Sequence, residues 1–171
     1  MSKGYIQVYT GNGKGKTTAS LGLALRAVCG GKKVYMGQFV KNMKYNEASA
    51  GQYLPGFKIE QFGAGCFFDR EPSQKDIEAA EKGLAIIEEV LTSGEYDIVI
   101  MDEINIALHY NLLSSNKVIE TIDKRNENVE VILTGRYAPD MIIEKADLVT
   151  EMKEIKHYYE EGVKARDGIE R

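Results

Sequence analysis

Residues 11–18 read Gly-Asn-Gly-Lys-Gly-Lys-Thr-Thr, a run that gathers the groups needed to hold a chain of phosphates. The general phosphate-loop pattern is G-x-x-x-x-G-K-[ST] between a strand and a helix. Gly15, Lys16 and Thr17 supply its end, while Thr10 stands where its first glycine would be. Gly11 and Gly13 keep the loop free to wrap an anion. Backbone N–H groups along Gly11, Asn12, Gly13, Lys14, Gly15, Lys16, Thr17 and Thr18 then face phosphate oxygens, helped by the N-terminus of the following helix. Lys16 is suited to neutralise phosphate charge, and the Thr17 hydroxyl to ligate Mg²⁺. Lys14 either touches phosphate or points to solvent. The plain alternative is a glycine-rich turn with an incidental lysine; the flanking strand and helix argue against it.

A second constellation lies further along. Tyr96 to Met101 is a continuous apolar run that ends in Asp102-Glu103. Such a run marks a strand buried on both faces. A carboxylate at its end lies opposite the phosphate loop and can hold Mg²⁺ directly or through water. Either acid could be the direct ligand. A second acid in hydrolytic proteins of this kind often activates water, so Glu103 alone leaves an ATPase open. Taken with the loop, the acids point to a nucleoside triphosphate bound with Mg²⁺.

Both constellations need rigid elements behind them. Tyr5 to Thr10 reads as a strand, and Lys16 to Cys29 as a helix with Leu21, Leu25 and Val28 on one face, stopped by Gly30-Gly31. Val34 to Val40 and Phe57 to Phe62 read as strands, with Lys41 to Gly56 and Gly63 to Glu71 as loops. Pro72 to Ser93 has helical spacing of Ile77, Ala80, Leu84, Ile87 and Leu91, with Asp69 before it and Gly94 after it. Helices are predicted over Asn105 to Leu112, Ser115 to Arg125 and Pro139 to Lys145. Further strands are predicted over Val129 to Leu133 and Leu148 to Met152. Strands alternating with helices predict an α/β fold: a three-layer α/β/α P-loop NTPase-like domain with a mainly parallel sheet of about six strands. Ligands in such sheets bind at the carboxyl ends of the strands, where both constellations fall. Residues 1–171 read as a single nucleotide-binding domain, with 153–171 as a charged C-terminal tail or flap.

Composition narrows the class. The 22 basic and 26 acidic residues leave a net charge of −4, which gives no overall attraction to nucleic acid or an anionic membrane. Only Cys29 and Cys66 are present and no C-x-x-C pair exists, which argues against structural zinc. Cys29, in an apolar stretch, is expected to be a buried thiol. No apolar run reaches membrane-spanning length, and no signal-peptide h-region precedes the first strand, so the expected compartment is the cytoplasm.

Several segments occur together in one order: Thr10 through Thr18, Gln38-Phe39-Val40-Lys41, Asp102-Glu103, Thr134-Gly135-Arg136, and the tail from Lys156-His157-Tyr158 to Gly168-Ile169-Glu170. From Tyr5 to Glu170 the chain closely resembles the ATP:cob(I)alamin (corrinoid) adenosyltransferases of the bacterial P-loop type. In that family threonine in place of the first loop glycine is usual. The resemblance implies transfer of the 5′-deoxyadenosyl group of ATP to the reduced cobalt of a corrinoid, with release of triphosphate. It implies Mg²⁺ as cofactor, with Thr17 and Glu103 at the metal. Lys16 and Arg136 become catalytic candidates on the triphosphate; a surface arginine is the plain reading of Arg136. It also implies a flavoprotein or reduced flavin as electron donor, and a homodimer.

Two departures from the family stand out. Relatives carry a Phe-Thr-Trp-like stretch against the corrin, where this chain has Gly65-Cys66-Phe67-Phe68. Cys66, Phe67 and Phe68 are therefore corrinoid candidates, with Phe68 as an apolar wedge in the tryptophan's place and core packing as the competing role. Relatives also often carry an N-terminal extension over the corrinoid, so closure here is expected to differ or to rely on other segments. Rival readings are a nucleoside kinase similar to thymidine kinase, which usually has a four-cysteine zinc site, and a RecA-like ATPase, which the charge and the lack of a basic-aromatic stripe disfavour. A nucleotide sensor without catalysis is a further alternative.

Overall fold

The computed structural model describes residues 3–41, 45–63 and 71–170. Its centre is a six-stranded sheet, built from β1 (Ile6–Thr10), β2 (Val34–Gln38), β3 (Phe57–Gln61), β4 (Ile98–Asp102), β5 (Glu130–Thr134) and β6 (Leu148–Glu151). The spatial order is β3-β2-β4-β5-β1-β6 and every pairing is parallel. The helices are α1 (Lys16–Cys29), α2 (Gln74–Ser93), α3 (Ile104–His109), α4 (Ser115–Asp123) and α5 (Asp140–Lys145). The loop expected over Lys41 to Gly56 contains a 3₁₀ segment, Asn46–Gln52.

Alternation along the strands divides the core into two layers. Val99 and Met101 of β4 pack with Val131, Leu133, Tyr35 and the inner face of α2, which supplies Ala80, Leu84, Ile87 and Leu91. Their neighbours Ile98 and Ile100 point the other way, to Val34, Met36, Ile132 and the α1 alanines Ala24 and Ala27. All of β4 is buried, as its unbroken apolar run predicts.

Some details differ from the sequence reading. The buried residues of α1 are Lys16, Ser20, Ala24 and Ala27, with Leu21 and Val28 half-buried against the same core and Leu25 turned outward. Leu25 is 47% exposed. The phosphate loop fixes the helix rotation by turning Lys16 inward, and residues four, eight and eleven further on must follow. Cys29, one turn beyond Leu25, is therefore exposed and not a buried thiol. Strand β2 stops at Gln38, because Val40 turns the chain with φ 63°. Helix α2 starts from Ser73, whose hydroxyl and Asp76 form a reciprocal capping box. Asp69, expected before the helix, lies outside the described residues.

Candidate functional site

The carboxyl ends of β1, β2, β4 and β5 meet around Asp102, because the register sets Gln38 beside Asp102 and Tyr9 beside Thr134. Asp102 is fully buried. Its Oδ1 accepts hydrogen bonds from the Thr17 hydroxyl at 2.8 Å and the Thr134 hydroxyl at 2.6 Å. Its Oδ2 accepts from Gln38 Nε2 at 3.1 Å and from Lys41 Nζ at 2.8 Å. A buried charge of this kind is stable only when paired and fully hydrogen-bonded.

Glu103 follows in the left-handed region, at φ 59°, and this turn separates its side chain from that of Asp102. Its backbone N–H donates to Thr134 Oγ1 at 3.0 Å. The Glu103 carboxylate has no hydrogen-bond partner among the described residues, and it lines a cavity of about 690 Å³ with Lys16, Thr17, Lys41 and Arg136. Burial pushes its carboxyl above the usual range, and the Asp102 charge adds to this. Lys41, Lys16 and Arg136 pull the other way.

The phosphate loop spans the cavity floor. Lys16 Nζ donates to the carbonyls of Gly11 at 2.8 Å and Gly13 at 2.6 Å, leaving one of its three N–H groups for a ligand. Burial lowers its affinity for a proton, partly offset by Glu103. The glycines of the loop are demanded by a neighbour as well as by a ligand. A Cβ on Gly11 would lie 2.4 Å from the Met152 carbonyl oxygen, just past β6, and one on Gly13 would lie 2.8 Å from it. That carbonyl accepts from Gly13 N–H at 2.7 Å.

Of the sequence candidates, Gly13, Lys14, Gly15, Lys16, Thr17, Thr18, Glu103 and Arg136 line one cavity. Gly11 enters through its bond to Lys16, and Asn12 is exposed at the loop's tip. Cys66, Phe67 and Phe68 lie outside the described residues. Three residues near the C-terminus reach the same cavity: Gly168, Ile169 and Glu170 line it, and Glu170 pairs with Lys14 at 3.2 Å. Asp167 accepts from Asn46 at 2.9 Å. Sequence reasoning assigned no role to Lys41, Gln38 or Thr134. Their signals were polarity at the end of an apolar strand and a place in the segments that carry the family resemblance.

Thr17 and Glu103 offer a hydroxyl and a carboxylate at one cavity wall. Among the described residues no group of three or more His, Cys, Asp and Glu side chains could cage a metal. That donor set suits Mg²⁺, which keeps waters and takes phosphate oxygens beside one or two protein ligands. No helix among the described residues is long and apolar enough to cross a membrane.

Residues 2–171 match the family described as ATP:corrinoid adenosyltransferase BtuR/CobO/CobP. The chain is 34% identical over 170 residues to a corrinoid adenosyltransferase of Pseudomonas aeruginosa, covering 98% of this chain and 84% of that protein. It is 35% identical over 168 residues to the corrinoid adenosyltransferase of Escherichia coli K12, covering 98% and 86%. Corrinoid adenosyltransferase CobA of Salmonella typhimurium is 34% identical over 168 residues, with the same coverage of 98% and 86%.

Proposed function

Because the chain belongs to the ATP:corrinoid adenosyltransferase family, we propose that its cavity is the place where ATP is held for attack by a reduced corrinoid, with Lys16, Thr17, Glu103 and Arg136 acting on the triphosphate. The enzyme adenosylates corrinoids with ATP as co-substrate. Co(I) is itself the nucleophile. Its electron pair forms the Co–C5′ bond, the C5′–O5′ bond breaks, and the electrons leave on triphosphate. Cobalt is formally oxidised from Co(I) to Co(III), and no side chain has to take a proton.

The protein's task is orientation and charge. Rigid placement of C5′ before cobalt removes much of the entropic barrier. Preorganised donors aimed at the leaving oxygens lower the rest. Lys16 contributes its free N–H and its charge. Arg136 is exposed at the cavity and has no side-chain partner among the described residues, so its guanidinium is available for bidentate contact with phosphate. Thr17 and Glu103 would hold Mg²⁺, which would spread the charge of the leaving triphosphate. Asn12 and the loop amides complete the phosphate cradle.

One observation carries this reading: Asp102 is saturated by four donors, while Glu103 beside it faces the cavity with its carboxylate free. A carboxylate so placed can take a divalent cation beside the triphosphate, and a nucleophile that arrives with its own electron pair requires no base. Cys66, Phe67 and Phe68 belong to the same proposal as the corrinoid face. So do a flavoprotein or reduced flavin that supplies the electron for Co(I), a homodimeric assembly and a cytoplasmic setting.

The test mixes protein, ATP, Mg²⁺ and chemically reduced cobalamin, and follows the light-sensitive Co–C spectrum. Glu103→Gln is expected to weaken metal dependence and adenosyl transfer together. Hydrolysis of ATP to ADP without corrinoid, abolished by Glu103→Gln, would assign Glu103 as a hydrolytic base instead.

A further inference from the structure

Lys41 stands at the turn after β2, and its surroundings give it a place in the site. Its side chain is only 16% exposed, and its ammonium lies 2.8 Å from Asp102 Oδ2. Glu47 is 3.9 Å away, and the Tyr45 ring centre 5.3 Å away. The backbone around it is tied on both sides. Phe39 N–H donates to the Asp102 carbonyl at 2.8 Å, and Gly63 N–H to the Lys41 carbonyl at 3.0 Å. A Cβ on Gly63 would lie 2.6 Å from the Lys41 backbone, so the approach is close.

The geometry assigns Lys41 as a positioning residue: its ammonium occupies the last acceptor site of Asp102, so that Asp102 orients Thr17 and leaves Glu103 as the carboxylate open to a divalent cation. This rests on the reading of Thr17 and Glu103 given above. A carboxylate offers about four acceptor sites, and Asp102 uses each once. The Thr17 hydroxyl has a single hydrogen, and giving it to Asp102 turns the oxygen lone pairs elsewhere, free for a metal. Without Lys41, Asp102 would be a buried anion with a bare oxygen beside the cavity. A divalent cation would be drawn to it, with or without nucleotide. The lysine thus decides which of two adjacent acids can be the ligand.

Mn²⁺, read by the loss of its free electron-paramagnetic-resonance signal, is the probe. Full-length wild type without nucleotide is expected to bind Mn²⁺ weakly. Lys41→Met should bind it at least about tenfold more tightly, a difference readily resolved by titration. Lys41→Met/Asp102→Asn should lose that gain, and Lys41→Arg should restore the wild-type value. A folded Lys41→Met that binds Mn²⁺ no better than wild type overturns the proposal, and so does a gain that survives in the double variant. If Lys41→Met does not fold, Lys41→Ala, which likewise leaves no donor for Asp102, carries the same expectations. Failure of the underlying reading shows separately: Glu103→Gln would then retain wild-type binding of Mn²⁺ in the presence of ATP.

Discussion

At the residue scale the site separates holding from acting. Asp102 is fully buried and holds four neighbours, whereas Lys16, Glu103 and Arg136 present groups to the cavity. Lys16 is poised by two carbonyls of its own loop, which fix the ammonium where a triphosphate chain would pass. Lys16→Ala should lower turnover by about a hundredfold or more, the scale of losing one preorganised electrostatic donor. Single-turnover rates at saturating ATP measure this without interference from binding. A rate near wild type would remove Lys16 from the chemistry. Lys16 and Glu103 could be nominated from type and spacing alone. The choice between Asp102 and Glu103 could not, because it depends on partners as distant as Thr17, 85 residues from Asp102.

At the element scale, the strand ends must be held still for these residues to stay in place. Phe62, directly after β3, is wedged between β2 and α2. A Cβ on Gly37 would lie 2.5 Å from its ring, and one on Gly83 would lie 2.6 Å from its Cγ. Gly83→Ala gains about 1 kcal/mol of helix propensity. It also overpacks against the root of the Phe62 side chain, at a cost of about 1–3 kcal/mol. Since Phe62 N–H is bonded to the Gln38 carbonyl at 2.9 Å, the ring cannot easily withdraw. A net loss of up to about 2 kcal/mol is expected in denaturant titrations; stability above wild type would mean that Phe62 yields. The edge strand offers a pH test. Glu60 on β3 accepts from Lys58 and from the Tyr35 hydroxyl, and these bonds, the lysine's first, hold its carboxyl below the ordinary 4.5. A carboxyl with a lowered folded-state value adds stability that is complete above its unfolded value and is lost as pH falls through the folded one. Glu60→Gln should therefore lower Tm at neutral pH, with the gap to wild type closing as the medium is acidified. A gap that widens in acid would reverse the assignment.

At the scale of the whole molecule, two apolar layers share one sheet, and their strands contribute alternate residues to each. We propose that the chain unfolds as one domain. Far-ultraviolet circular dichroism and tyrosine fluorescence should then give coincident denaturation curves, and two separated midpoints would mean independent units. The sequence by itself determined what is local. The phosphate loop, the buried strand before Asp102-Glu103 and the alternation of strand and helix are read from neighbours in the chain, since backbone propensity and apolar period act over a few residues. What the tertiary structure decided is non-local. The most buried face of α1 is set by the inward turn of Lys16, which is why Leu25 and Cys29 are exposed. The glycines at 11 and 13 answer to the Met152 backbone, and Lys14 meets Glu170 across 156 positions. Lys41 and Gln38 reach Asp102 only because β2 lies beside β4 in parallel register. Crossover connections bring strand ends together regardless of their distance in sequence, and no local pattern encodes which ends will meet.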